Sequence, residues 1–195
     1  MKEKFHITGF YYNIDELRFR KYLNIKHKKT KLDNPDLMVV MMNPGSSKPL
    51  EQENCYNKEV IAKPDNTQAQ IMKLMCSLNF EYARILNLSD LREPKSQLFY
   101  NQIDLMNKLK IPHSIFQEER KSDFEKFFIR NRTTILGWGV NNKLRFLAND
   151  ALDSIGNEKI YGLLKPNTKN KYYHPLPPNA RKQEKWLQDI LKQFK

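Results

Sequence analysis

LMVVMMNPG, residues 37–45, decides how this chain is read. An apolar run without polar alternation is the pattern of a strand buried on both faces, as in a parallel sheet covered by helices. The run ends in an amide, a ring and a glycine, and in open α/β sheets ligands bind beyond the carboxyl ends of the strands. Asn, Pro and Gly are also ordinary turn formers, so the motif by itself is compatible with a plain turn.

Working outward, three more segments read as strands: YARILNLS (82–89), TTILGWG (133–139) and KIYGLL (159–164). Between them lie helical patterns. Thr67 and Gln70 have capping-box spacing ahead of Ile71, Leu74, Met75 and Leu78; residues 96–109 read as helical; Ser122 and Glu125 suggest a second box heading Phe124, Phe127 and Phe128. Asn142 is a candidate cap for a helix that keeps Leu144, Leu147, Ala148, Ala151, Leu152 and Ile155 on one face until Gly156. The final NARKQEKWLQDILKQF, 179–194, sets Trp186, Leu187, Ile190, Leu191 and Phe194 opposite Arg181, Lys182 and Lys185. Strands alternating with helices predict an α/β fold, a three-layer α/β/α arrangement around a central, mainly parallel four-stranded sheet.

The expected organisation is a single domain over 1–195, with residues 36–195 as its core and 1–35 as a poorly placed N-terminal segment. In that segment HITGFYY reads as an edge strand, DELRFRKYL as a short helix and NIKHKKTKLDNPD as a basic connector. Lys26, Lys28, Lys29 and Lys31 crowd the connector, as a solvated loop or a phosphate-contacting arm.

A net charge of +12 favours an acidic partner such as nucleic acid, or an anionic surface. No apolar stretch approaches the roughly 20 residues of a membrane helix, and MKEKFHITGF lacks the apolar core of a signal peptide; a cytoplasmic protein with no membrane association is expected. Cys55 and Cys76 form no paired motif, and Cys76 falls on the apolar side of the first helix. The four His show no metal-binding spacing, so no metal and no cofactor is predicted.

Four strand ends carry polar or aromatic residues. Asn43 can present both a carbonyl and an amide above the sheet, with Pro44 fixing the backbone and Gly45 letting it turn or a ligand approach. Asn87 could pair with the edge of an amide-like ring, or simply cap a loop. Trp138 stands between glycines, and a lone Trp at such a position is more often core than site. In KYYHPLPPNARK, His174 could donate a hydrogen bond to developing negative charge, and Leu176 on a proline-stiffened loop could wedge into a base stack; a packed loop with a satisfied histidine is the alternative.

Together and in this order, MMNPGSS, RILNLSD, ILGWG and YYHPLPP resemble the landmarks of the uracil-DNA glycosylase superfamily. They resemble more closely those of an uncharacterised bacterial and phage domain-of-unknown-function family with Asn-Pro, Trp-Gly and His-Pro motifs. The resemblance spans roughly residues 37–195. It implies hydrolysis of an N-glycosidic bond, with the target nucleotide flipped into a pocket at the strand ends. By that resemblance Asn43 and His174 are the catalytic pair: Asn43 positions a water, and His174 hydrogen-bonds the departing base. Asn87 reads the base edge, Pro44 and Gly45 line the pocket, Leu176 helps hold opened DNA, and Tyr56 is a candidate stacking partner. The implied partner is DNA or a nucleotide. Some superfamily members carry Asp where this chain has Asn43; an amide orients a water but takes up no proton near neutral pH. A protein that binds a nucleic acid or nucleotide without cleaving it is the competing expectation, because fold does not fix function.

Overall fold

The apolar run at 37 forms β3 (Leu37–Met41), buried throughout, with Leu37, Val39 and Met41 on one face and Met38 and Val40 on the other. The computed structural model describes residues 2–51 and 56–195. In it β3 lies between β5 (Tyr82–Asn87) and β6 (Thr133–Gly137), parallel to both, and β7 (Ile160–Tyr161) pairs parallel with β6. Beyond β5 the sheet turns antiparallel. There β2 (Leu17–His27) pairs with β5, β1 (Phe5–Ile14) with β2, and β4 (Lys58–Ile61) with β1.

The chain is therefore α/β, but the expected four-stranded, mainly parallel sheet is corrected. The sheet has seven strands in the order β4-β1-β2-β5-β3-β6-β7, and its longest ladder is the antiparallel β1–β2 hairpin. DELRFRKYL, expected as a helix, is the turn and first half of β2. The tight turn lies at Asp15–Glu16, between the paired Ile14 and Leu17, with Asp15 at φ 50°. Asp-Glu lacks the glycine that usually announces such a turn.

A bulge hides the strand's periodicity as well. Phe10 pairs with Tyr22 but Tyr11 pairs with Arg20, leaving Lys21 as the extra residue. The face parity of β2 flips there: Leu17, Phe19 and Tyr22 pack in one apolar cluster and Leu23 and Ile25 in the other. Arg20 thereby shares the face of Tyr11, Leu23 and Ile25.

Helices cover both faces. α1 (Asn66–Leu78) packs Ile71, Met72, Leu74 and Met75, and α5 (Ala180–Lys192) packs Trp186, Leu187 and Ile190, onto the side of Leu37, Val39, Met41 and Ile85. α2 (Ser96–Lys108), α3 (Lys121–Phe127) and α4 (Arg145–Ile155) cover the side of Met38, Val40, Leu86 and Leu136.

The helix starts differ from their expected positions. α1 is capped by Asp65, whose Oδ1 accepts from Gln68 N at 2.8 Å while Gln68 Oε1 accepts from Asp65 N at 3.3 Å; Thr67 and Gln70 lie within the helix. Such a cap is worth about 1 kcal/mol. α3 has no side-chain cap, and Asn141, not Asn142, caps the 3-10 turn before α4 by accepting from Lys143 N. Cys76 is exposed rather than in the core, and Cys55 lies outside the described residues. Gly156, at φ 65°, ends α4 as expected.

A buried polar network ties the hairpin to the helical layer. Asp90, fully buried, accepts from Tyr12 Oη at 2.9 Å and Arg120 Nη2 at 3.1 Å; Arg120 Nε also reaches Asp123 at 2.7 Å. Nearby, His113 Nε2 donates to Asn107 Oδ1 at 3.1 Å, so its Nδ1 accepts from Ser89 Oγ at 2.9 Å. Burial, with Arg120 adding to it, lowers His113 to about 4.

A histidine held neutral in the fold destabilises it once the unfolded chain can take the proton. The His113 contribution is therefore intact above pH 6.5 and is lost as pH falls from 6.5 to about 4, by about 3 kcal/mol in total. Urea unfolding of wild type beside His113→Gln checks this. The stability advantage of wild type at pH 7 should shrink by about that amount at pH 4; an advantage independent of pH would contradict it.

Candidate functional site

The Asn43-Pro44-Gly45 loop leaves the carboxyl end of β3 and is clamped from several sides. Asn43 Nδ2 donates to the carbonyls of Leu91 at 3.2 Å and Glu93 at 2.7 Å. Both amide hydrogens are thus engaged, and the side-chain carbonyl bonds no protein group among the described residues. Ser47, also buried, shares a hydrogen bond with Tyr11 Oη at 3.0 Å, and its carbonyl accepts from Arg92 Nε at 2.6 Å. Gly45 takes φ 57°, a left-handed conformation that favours glycine.

The His-Pro loop approaches from the opposite side. Gly137, at the end of β6, makes room for it: a Cβ there would stand 2.8 Å from Pro175 Cδ. Leu176 N donates to His174 Nδ1 at 3.1 Å, so the neutral imidazole carries its proton on Nε2. Burial lowers the His174 pKa from its usual value, against the Leu176 hydrogen bond and the Asp65 charge, and keeps the ring uncharged at neutral pH.

Asn43, Pro44, Gly45, His174 and Leu176 line one cavity of about 410 Å³, inside the roughly 300–1,000 Å³ of small-molecule sites. Its other walls are Met41 and Ile85 of the sheet, the start of α1 from Asp65 to Gln68, and Arg20. Sequence reasoning missed Arg20 and Asp65: the first sits in a strand read as a helix, and the second two residues before a cap assigned to Thr67. The spacing Asp65-x-x-Gln68 was a signal for the true cap.

Asn87 does not line this cavity. It is fully buried, on the same face of β5 as Ile85 and beside Met41, and neither amide atom has a partner among the described residues. Arg20 Nε and Gln68 Nε2 are likewise buried and unpartnered. Unsatisfied buried groups cost about 1–3 kcal/mol each, and Arg20 and Gln68, which carry two of them, both line this cavity, where a polar ligand would complete them.

A second, more apolar cavity of about 860 Å³ lies on the other side of the His-Pro loop, walled by Tyr100, Trp138, Tyr173, Pro177 and Trp186. His174 and Leu176 line both. Trp138 is buried and donates from Nε1 to Asn170 O at 2.8 Å, which holds the loop before the histidine. Tyr56 is exposed and lines neither cavity. Among the described residues no group of His, Cys, Asp and Glu is arranged to hold a metal ion, and no helix is long and apolar enough to cross a membrane.

No curated protein and no solved structure matches this chain. A family model does: the one described as protein of unknown function (DUF1643) matches residues 25–176. That span holds Asn43, Asn87, Trp138, His174 and Leu176, while Arg20 and α5 fall outside it. The chain belongs to the DUF1643 family.

Proposed function

We propose that this protein is a uracil-DNA glycosylase-like hydrolase that cleaves the N-glycosidic bond of a base in DNA or in a nucleotide. The observation that carries the reading is the pairing, across one cavity, of a neutral imidazole with Nε2–H available and an asparagine whose carbonyl alone is available. In the reaction the C1′–N bond lengthens, its electron pair leaves with the base, and the sugar gains positive charge. His174 Nε2–H stabilises the negative charge that develops on the base, a task suited to a preorganised neutral donor. Asn43 Oδ1 accepts from a water and aims it at C1′. The cavity's carboxylate, Asp65, takes the proton that the water loses as it bonds to carbon. The basic surface holds the phosphate backbone when the substrate is DNA.

A second reading is supported by the Asn43 clamp itself. An amide whose hydrogens both bind backbone carbonyls keeps its loop in shape whether or not chemistry follows, as a non-catalytic nucleotide or nucleic-acid binder requires. Oligonucleotides containing uracil, hypoxanthine or a mismatch, incubated with the pure protein and then treated with alkali, separate the two. Strand breaks made by wild type and lost in folded Asn43→Ala support the hydrolase. Intact strands with binding that weakens steeply with salt would assign the binder instead.

A further inference from the structure

Arg20 is 3% exposed, yet its guanidinium makes no ion pair and no side-chain hydrogen bond among the described residues. The other arginine buried among the described residues, Arg120, is held by two carboxylates. A buried cation without a counter-ion is costly, and proteins keep such a group paired or coordinated. Arg20 alternates with Phe19 onto the face of Tyr11, and the bulge at Lys21 brings Leu23 and Ile25 onto that same face, so the cavity-side cluster continues past it. Bulges are frequent beside functional sites.

The same wall carries the start of α1. Asp65 caps the helix through Oδ1 on Gln68 N alone, so the first two amides of the helix, Asn66 and Thr67, have no partner within it. Free amides at a helix start, with the positive end of its dipole, favour an anion. Burial lowers the Arg20 pKa, with Tyr11, Asp65 and Asp90 opposing it and the Arg92 charge adding to it, and neither carboxylate forms an ion pair with Arg20. Arginine stays protonated all the same.

We propose that Arg20, together with the Asn66 and Thr67 amides, forms a subsite for a phosphate group beside Asn43 and His174. The arginine fork suits a tetrahedral oxyanion, and Asp65 on the same cavity wall suits a phosphate that still carries a proton to donate. This goes beyond the proposed base release: the subsite requires no turnover, and it stands or falls by binding. The phosphate belongs either to a free nucleotide or to a nucleic-acid strand.

The test begins with thermal unfolding of wild type and Arg20→Met, with and without inorganic phosphate at constant ionic strength. Wild type should gain in Tm with phosphate and the variant should not. The variant should also be at least as stable as wild type without phosphate, because it removes an uncompensated buried charge. Calorimetric titration should then show uridine 5′-monophosphate binding wild type at least tenfold more tightly than uridine, with the ratio collapsing in the variant.

Should Arg20→Met fail to fold, Asn66→Pro deletes one amide at the first helical position, where proline is tolerated; Asp65 before it is already extended. That variant should lose at least threefold in monophosphate affinity and none for uridine. A short single-stranded oligonucleotide that binds more tightly than the monophosphate, with a steep salt dependence, assigns the phosphate to a strand; the reverse order assigns a free nucleotide. Equal affinity of wild type for uridine and its monophosphate, or a phosphate effect unchanged in Arg20→Met, would overturn the subsite. Phosphate binding without any base release would leave the subsite standing and remove the hydrolase.

Discussion

Arg120→Ala should destabilise the fold by about 3–5 kcal/mol, among the largest losses any single substitution in this chain can cause. Arg120 bridges Asp90, which is fully buried, to Asp123, and also donates to Tyr12 Oη at 3.2 Å. Burial pushes the Asp90 carboxyl up to about 6 in spite of Arg120 and the Tyr12 hydrogen bond, so desolvation already outweighs the pairing. A carboxyl raised above its unfolded value contributes stability below that value and loses it as pH rises through the folded one. Without Arg120, Asp90 must stay protonated to higher pH, so the loss in the variant should be greater at pH 8 than at pH 5. Urea denaturation at both values checks this. A loss under 1 kcal/mol, or one that is equal at both, would show that the network is dispensable.

His174→Gln should slow base release by about 10²- to 10³-fold, the usual effect of removing one donor to a developing anion. The glutamine keeps hydrogen-bonding capacity but cannot be held by Leu176 N in the same way. Wild-type activity should also fall on the acid side. Protonation at Nδ1 would set a donor against the Leu176 N–H and open the loop. Because burial lowers the His174 pKa, that loss should begin below the ordinary histidine value of 6.5 and leave neutral pH unaffected. A pH–rate profile with its acid limb at or above 6.5 would argue against a desolvated neutral imidazole.

The parallel part of the sheet was legible because its strands are buried on both faces and carry uninterrupted apolar runs. Val39 and Val40 could hardly be anything else. The antiparallel part was not. The bulge at Lys21 breaks the period of β2 at its midpoint, and Asp15-Glu16 makes a tight turn without glycine. That loss mattered for the site as much as for the fold, because Arg20 travels with the hairpin. Strand-end reasoning did bring Asn43, Pro44, Gly45, His174 and Leu176 to one cavity. It misjudged depth: Asn87 is at the expected end of its strand, yet it is fully buried and outside the cavity lining, and no local pattern separates such a residue from a lining one. Tyr56, the candidate stacking partner by resemblance, stands at the surface.

The central claim is that the Asn43–His174 cavity breaks a glycosidic bond. Mass spectrometry of the free base released from uracil- and hypoxanthine-containing oligonucleotides and from free nucleotides tests it most directly, with wild type and His174→Gln side by side. Free base from at least one of these substrates, formed at least a hundredfold more slowly by the folded variant, is the predicted result. Release at the same rate by both proteins, or none from any substrate by a folded wild type, would contradict it.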